Sequence, residues 1–154
     1  MGNVMVGFYN QCCPHLQPQY VLETVTFDRY QQPMTRLPHP IPYQGSKRKL
    51  APMIDEYLPK QIETFYEPFA GSAAMTIYAA FHRRAERFVV ADSLEPMSAL
   101  LRSIVEEPET TTSRYEEVWS GQRNGDVGYF NSIRDRYNDD RDPVDLLYLI
   151  CRCV

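Results

Sequence analysis

Thr64-Phe65-Tyr66-Glu67-Pro68-Phe69-Ala70-Gly71-Ser72-Ala73-Ala74, continuing through an Ala-rich run to His82 and then to Arg87-Phe88-Val89-Val90-Ala91-Asp92, is the stretch on which the fold turns. The β-branched and aromatic residues of 64 to 69 suit a short strand, Gly71-Ser72-Ala73-Ala74 a tight turn, and Ala73 to His82 a helix. Arg87 to Ala91 reads as a second strand, closed by Asp92. Strand, helix and strand within residues 60 to 92 make one βαβ unit of the usual size, so an α/β fold with a parallel sheet is expected.

Upstream of that unit, Leu50, Met53, Ile54, Tyr57 and Leu58 recur at intervals of three and four, which predicts a helix after Lys47 with one apolar face, stopped by Pro59. Downstream, Met97, Leu100, Leu101 and Ile104 predict another over Pro96 to Val105. Residues 106 to 154 carry no strand pattern. Acidic Glu106 to Glu117, Tyr129 to Tyr137 and Val144 to Val154 predict helices, with a turn at Asn124-Gly125-Asp126. Residues 1 to 42 hold six of the 12 prolines and no sustained periodicity, so an irregular arm is expected, and Met34 offers an alternative start. The expected organisation is an arm over 1–40, a ligand-binding βαβ part over 41–105 and a helical segment over 106–154. Two strands alone would leave the faces of a parallel sheet half covered, and Val144 to Val154 ends without a helix stop signal, so the chain reads as cut off inside a fold.

Composition narrows the function. A chain of 154 residues, 44% hydrophobic, can build one core but not two ordinary domains. Sixteen Lys and Arg against 20 Asp and Glu give a net charge of −4, so contact with a polyanion must be local. No run approaches the roughly 18 apolar residues of a membrane span, and no basic start leads into an apolar core, so a cytoplasmic protein with no membrane partner is expected. Cys12, Cys13, Cys151 and Cys153 fit neither a disulfide scaffold nor a CxxC metal site; reduced thiols and no metal are expected.

Three elements carry chemistry. The Glu67 to Ala74 loop lets backbone amides and a helix N-terminus approach a ligand, although a tight βα connection needs the same residues. Asp92, 21 positions after Gly71, suits the ribose hydroxyls of an adenosine-containing ligand and equally suits capping a helix that begins near Leu94. Pro42-Tyr43-Gln44-Gly45-Ser46-Lys47-Arg48-Lys49-Leu50 places an aromatic ring beside three cations, either a stacking and charge platform or packing and solvated surface.

Taken in order, these elements resemble the Dam-like adenine-specific DNA methyltransferases over roughly residues 41 to 154. The resemblance implies a Rossmann-like methyltransferase fold, incomplete here, with the start of a helical target-recognition region, and Tyr129 to Asn138 looks like the family's aromatic and Ile-Arg helix before that region. It implies S-adenosyl-L-methionine as cofactor, with Tyr43 and Lys47 helping to hold it, Glu67, Pro68, Phe69 and Gly71 cradling the methionine part and Asp92 holding the ribose. Double-stranded DNA is the implied partner of the complete enzyme, with Arg48 and Lys49 as phosphate contacts and Arg83, Arg84 and Arg87 as a weaker second cluster. The family flips its target adenine out of the duplex, which costs a few kcal/mol recovered by stacking in the pocket.

Departures are visible. Ala73 stands where many members have a second glycine, and Leu94 where many have Asn. The family's catalytic Asp-Pro-Pro-Tyr does not occur; Asp142-Pro143-Val144-Asp145 shares its first two residues, lacks the aromatic and precedes a helix pattern, so it is rejected and no catalytic residue is assigned. The expected function is the N-terminal cofactor-binding portion of an adenine-specific DNA methyltransferase, inactive alone. A non-catalytic Rossmann-like cofactor-binding or interaction module is the alternative; a dinucleotide oxidoreductase fragment would leave the basic aromatic segment without a task.

Overall fold

The computed structural model describes residues 36–122 and 127–153 and, for the backbone, 3–4 and 25–26. Two short strands, β1 (Asn3–Val4) and β2 (Val25–Thr26), precede a 3-10 turn at Lys47–Lys49 and helix α1 (Ala51–Asp55). Then follow β3 (Ile62–Glu67), α2 (Ala74–Phe81), β4 (Ala85–Val90) and four helices, α3 (Glu95–Glu106), α4 (Pro108–Gly121), α5 (Val127–Asp140) and α6 (Pro143–Cys153).

The sheet order is β2-β1-β4-β3. β3 and β4 run parallel, with Thr64 opposite Arg87, Phe65 opposite Phe88 and Glu67 opposite Val90, as the βαβ reading requires. β1 adds to the other side of β4 in parallel and pairs with β2 antiparallel. The arm expected to be irregular therefore contributes two short strands, and the sheet has four strands rather than two. Cys12, Cys13, Met34 and the Asn124-Gly125-Asp126 turn lie outside the described residues.

Phe88 and Val90 alternate along β4 onto one face, where they meet Ala79 of α2, Met97, Leu100 and Leu101 of α3 and Leu147 of α6 in a single buried cluster. Full burial of Met97 and Leu100 stabilises the fold by about 2 kcal/mol each before the entropy of ordering them is counted. α6 packs against α3, α4 and α5 and so joins the helical segment to the βαβ half.

The expected apolar helix after Lys47 is corrected. It breaks into the 3-10 turn and a five-residue α1, and Leu50, Met53 and Tyr57 are 48%, 62% and 87% exposed. Spacing defines a face, but only a partner buries it. Arg84 ties this stretch together: its guanidinium bonds Asp55 Oδ1 at 2.7 Å and the carbonyls of Pro59 and Lys60.

Candidate functional site

Two carboxylates stand at the ends of the parallel strands. Glu67 is the last residue of β3, and Asp92 follows β4 by two residues. Beyond the strands, the amide of Ala91 donates to Glu67 O and that of Ala70 to Ala91 O, each at 3.0 Å, so the two loops leave the sheet in register.

Asp92 joins the turn into α3 to the small-residue bend. Its Oδ1 accepts from the amide of Leu94 at 2.8 Å, shaping the turn into α3, and its Oδ2 accepts from the amide of Gly71 at 2.7 Å. The acid and the small-residue bend are thus in direct contact across 21 residues.

Glu67 reaches the start of α2. Its carboxylate accepts from the amides of Met75 and Thr76 at 3.3 and 2.8 Å and from the Thr76 hydroxyl at 2.5 Å. The residue before α2 is Ala73, which has φ 52° and no side-chain cap of its own, so Glu67 satisfies amides that a local cap would otherwise serve. Burial pushes the Glu67 carboxyl above the usual glutamate range, against the pull of its bonds to Thr76 and Met75.

These bonds decide what the loop can receive. In a phosphate-binding βα turn, free amides and the positive helix end face the anion. Here Gly71 and the first turn of α2 already face carboxylates of the chain itself. A phosphate would meet two negative side chains, whereas a cation or a group rich in hydroxyls meets acceptors.

Tyr43 is brought to this place. A Cβ added at Gly71, where φ is 53°, would lie 3.2 Å from Tyr43 Cε1, so the ring lies against the bend. The Ser46 and Ser72 hydroxyls meet at 3.1 Å, a link that spacing gave no means of finding because the residues are 26 apart. Pro68 and Phe69 are exposed, Phe69 by 85%. Lys47 Nζ donates to Gly45 O at 3.0 Å, within its own turn. Arg48 directs its guanidinium to the carbonyls of Pro38 and Leu37 at 2.7 and 2.9 Å, while Lys49 is exposed. Of the second cluster, Arg83 is exposed, Arg84 is paired with Asp55, and Arg87 bonds Glu63 and Thr64. Asp142 caps α6, accepting from the amides of Val144 and Asp145 at 2.8 and 3.3 Å. No helix among the described residues is long and apolar enough to cross a membrane.

A parallel βαβ unit whose loop faces its own carboxylates, with an aromatic segment lying on the bend, is joined by a family match over most of the chain. The family model for D12 class N6 adenine-specific DNA methyltransferase matches residues 43–153, and the chain belongs to that family. It is similar to the type II methyltransferase M.FokI of Planomicrobium okeanokoites, with 28% identity over 112 residues, 73% of this chain and 17% of that protein. The chain thus spans about a sixth of the length of that curated relative. No solved structure matches it significantly.

Proposed function

We propose that this chain forms the cofactor-binding part of an adenine-specific DNA methyltransferase with a Rossmann-like fold, which moves a methyl group from S-adenosyl-L-methionine to the N6 amino group of adenine in double-stranded DNA. The observation that carries the reading is the 2.7 Å bond between the Gly71 amide and Asp92, with Glu67 closing the amides of α2 beside it. That set of acceptors fits a cationic adenosyl ligand and disfavours the pyrophosphate of a dinucleotide. The acceptor positions left on Asp92 suit ribose hydroxyls, Tyr43 and Gly71 bound the small-residue bend, and Pro68 and Phe69 lie at its exposed rim. Glu67 acts by holding α2 in place, and Lys47 by holding its own turn. When bound, the cofactor supplies an electrophilic methyl group. The residues here fix its orientation, an effect able to contribute roughly 7 to 11 kcal/mol when both reactants are aligned.

Lys49 is the cation of the basic segment best placed for a DNA phosphate, and a cytoplasmic location fits a DNA-modifying protein. The absence of Asp-Pro-Pro-Tyr from the sequence favours, as a second reading, a cofactor-binding module that does not turn over by itself. Calorimetric titration of the 154-residue chain with S-adenosyl-L-methionine and with NAD tests the first reading. Binding of the first alone, weakened at least tenfold (about 1.4 kcal/mol) in Asp92→Ala, is expected. No binding, or unchanged affinity in that variant, overturns it. A methylation assay on DNA is expected to show no turnover by this chain alone under either reading; turnover would overturn that expectation and exclude the second reading.

A further inference from the structure

The Tyr43 ring lies against Gly71, where an added Cβ would meet its Cε1 and Cδ1 at 3.2 and 3.5 Å. What fixes its height is the segment that carries it. The carbonyl of Tyr43 accepts from the Ser46 amide at 3.1 Å, closing a turn in which Gly45 takes φ 81°. That strap is fastened before the turn by Ile41, fully buried in the core, and after it by Arg48, whose guanidinium grips the carbonyls of Leu37 and Pro38. Ile41 sits in the core cluster that also holds Ala70 and Ala73 beside the bend, and Arg48 ties the strap to the preceding residues of its own segment, but neither makes a hydrogen bond to the bend. The hydroxyl pair of Ser46 and Ser72 does. Ser72 is only 4% exposed, and a hydroxyl so buried is costly unless bonded.

We infer that the Ser46 and Ser72 hydroxyls form a latch that sets the Tyr43 ring over Gly71, which makes Ser72 a positioning residue for the ligand held between Gly71 and Asp92. The positioning role rests on the cofactor reading above; the latch itself does not. Arg48 belongs to the same device, as a tether of the strap, rather than to a phosphate-binding surface.

The test uses the full chain with Ser72→Ala, Ser46→Ala, the double variant and Ser46→Thr, which keeps a hydroxyl. Amide hydrogen exchange without ligand is expected to quicken over residues 43 to 50 in both single variants and to stay unchanged in α5 and α6. S-adenosyl-L-methionine affinity is expected to fall about three- to tenfold in each, the size of one lost hydrogen bond. Ser46 Oγ also accepts from the Arg48 amide at 3.4 Å, so the double variant should be no worse than Ser46→Ala, which already lacks both bonds, and Ser46→Thr should bind as wild type. Unchanged exchange over 43 to 50, or losses that add in the double variant, would overturn the latch. Quickened exchange with unaltered affinity would overturn the positioning role. Quickened exchange in the single variants, with no S-adenosyl-L-methionine binding by the wild-type chain, would overturn the cofactor reading and the positioning role with it, and leave the latch standing.

Discussion

Gly71 and Ala73 share a left-handed backbone, φ 53° and 52°, with opposite consequences for substitution. At Gly71 a methyl group adds strain of about 1–2 kcal/mol and meets the Tyr43 ring 3.2 Å away, so Gly71→Ala is expected to lose that stability in urea unfolding and to weaken cofactor binding. At Ala73 that strain is already present. Glycine relieves about 1 kcal/mol of it but gives up a buried methyl worth about 0.8 kcal/mol, so Ala73→Gly should unfold within about 0.5 kcal/mol of wild type. A loss above about 1 kcal/mol would show that the methyl matters more to packing than the backbone does to strain. Glu67 makes a third case. Its carboxyl is raised by burial above the ordinary 4.5, so the folded state binds the proton more tightly than the unfolded state. Its contribution is complete below pH 4.5 and is lost as pH rises through the raised value. Glu67→Gln should flatten stability over that window, and an unchanged profile would assign the slope elsewhere.

The helical elements depend on a different set of charges. Asp142 caps α6 and accepts from Arg114 of α4 at 2.6 Å, tying two helices at one carboxylate. Burial pushes that carboxyl up, but the Arg114 bond and the amides of Val144 and Asp145 outweigh it and hold the group below 3.8. The sign is therefore opposite to that of Glu67: stability is present above pH 3.8 and lost as pH falls through the lowered value. Asp142→Ala is expected to cost about 1–2 kcal/mol at neutral pH, chiefly as a lost helix cap, and to flatten the acid limb of the profile. Next to it, Asp145 is 1% exposed and receives Arg136 through both carboxylate oxygens. Arg136→Ala leaves that charge buried, so thermal unfolding should show a larger loss than for Asp142→Ala. The side chain of Arg136 is half exposed, which keeps the expected loss near the low end of the 3–5 kcal/mol that buried pairs can reach.

At the scale of the molecule, what was legible in the sequence was what is local. The βαβ unit and the helices after it announce themselves by period and by small-residue turns, and Asp92 by its place after a strand. The α1 face misled because three-and-four spacing records which residues share a side and not whether anything covers it; Met53 and Tyr57 remain in solvent. The strap and its latch join residues 10, 11 and 26 apart through hydroxyls and carbonyls that have no pattern. Charge followed the same rule. A run of three cations reads as one basic patch, yet folding turns Arg48 inward, and among the described residues Arg84, Arg87, Arg114, Arg134 and Arg136 are paired with carboxylates. With a net charge of −4 and the basic segment reduced to Lys47 and Lys49, few phosphates can be neutralised at once. Each phosphate contact contributes about −0.9 to the slope of log K against log salt, so duplex DNA should bind this chain weakly with a slope near −2. Lys49→Ala should bring that slope nearer −1, while Arg48→Ala should leave it unchanged. A slope steeper than about −4 would require a further basic surface, and a shallower slope in Arg48→Ala would remove the tether from its assigned role.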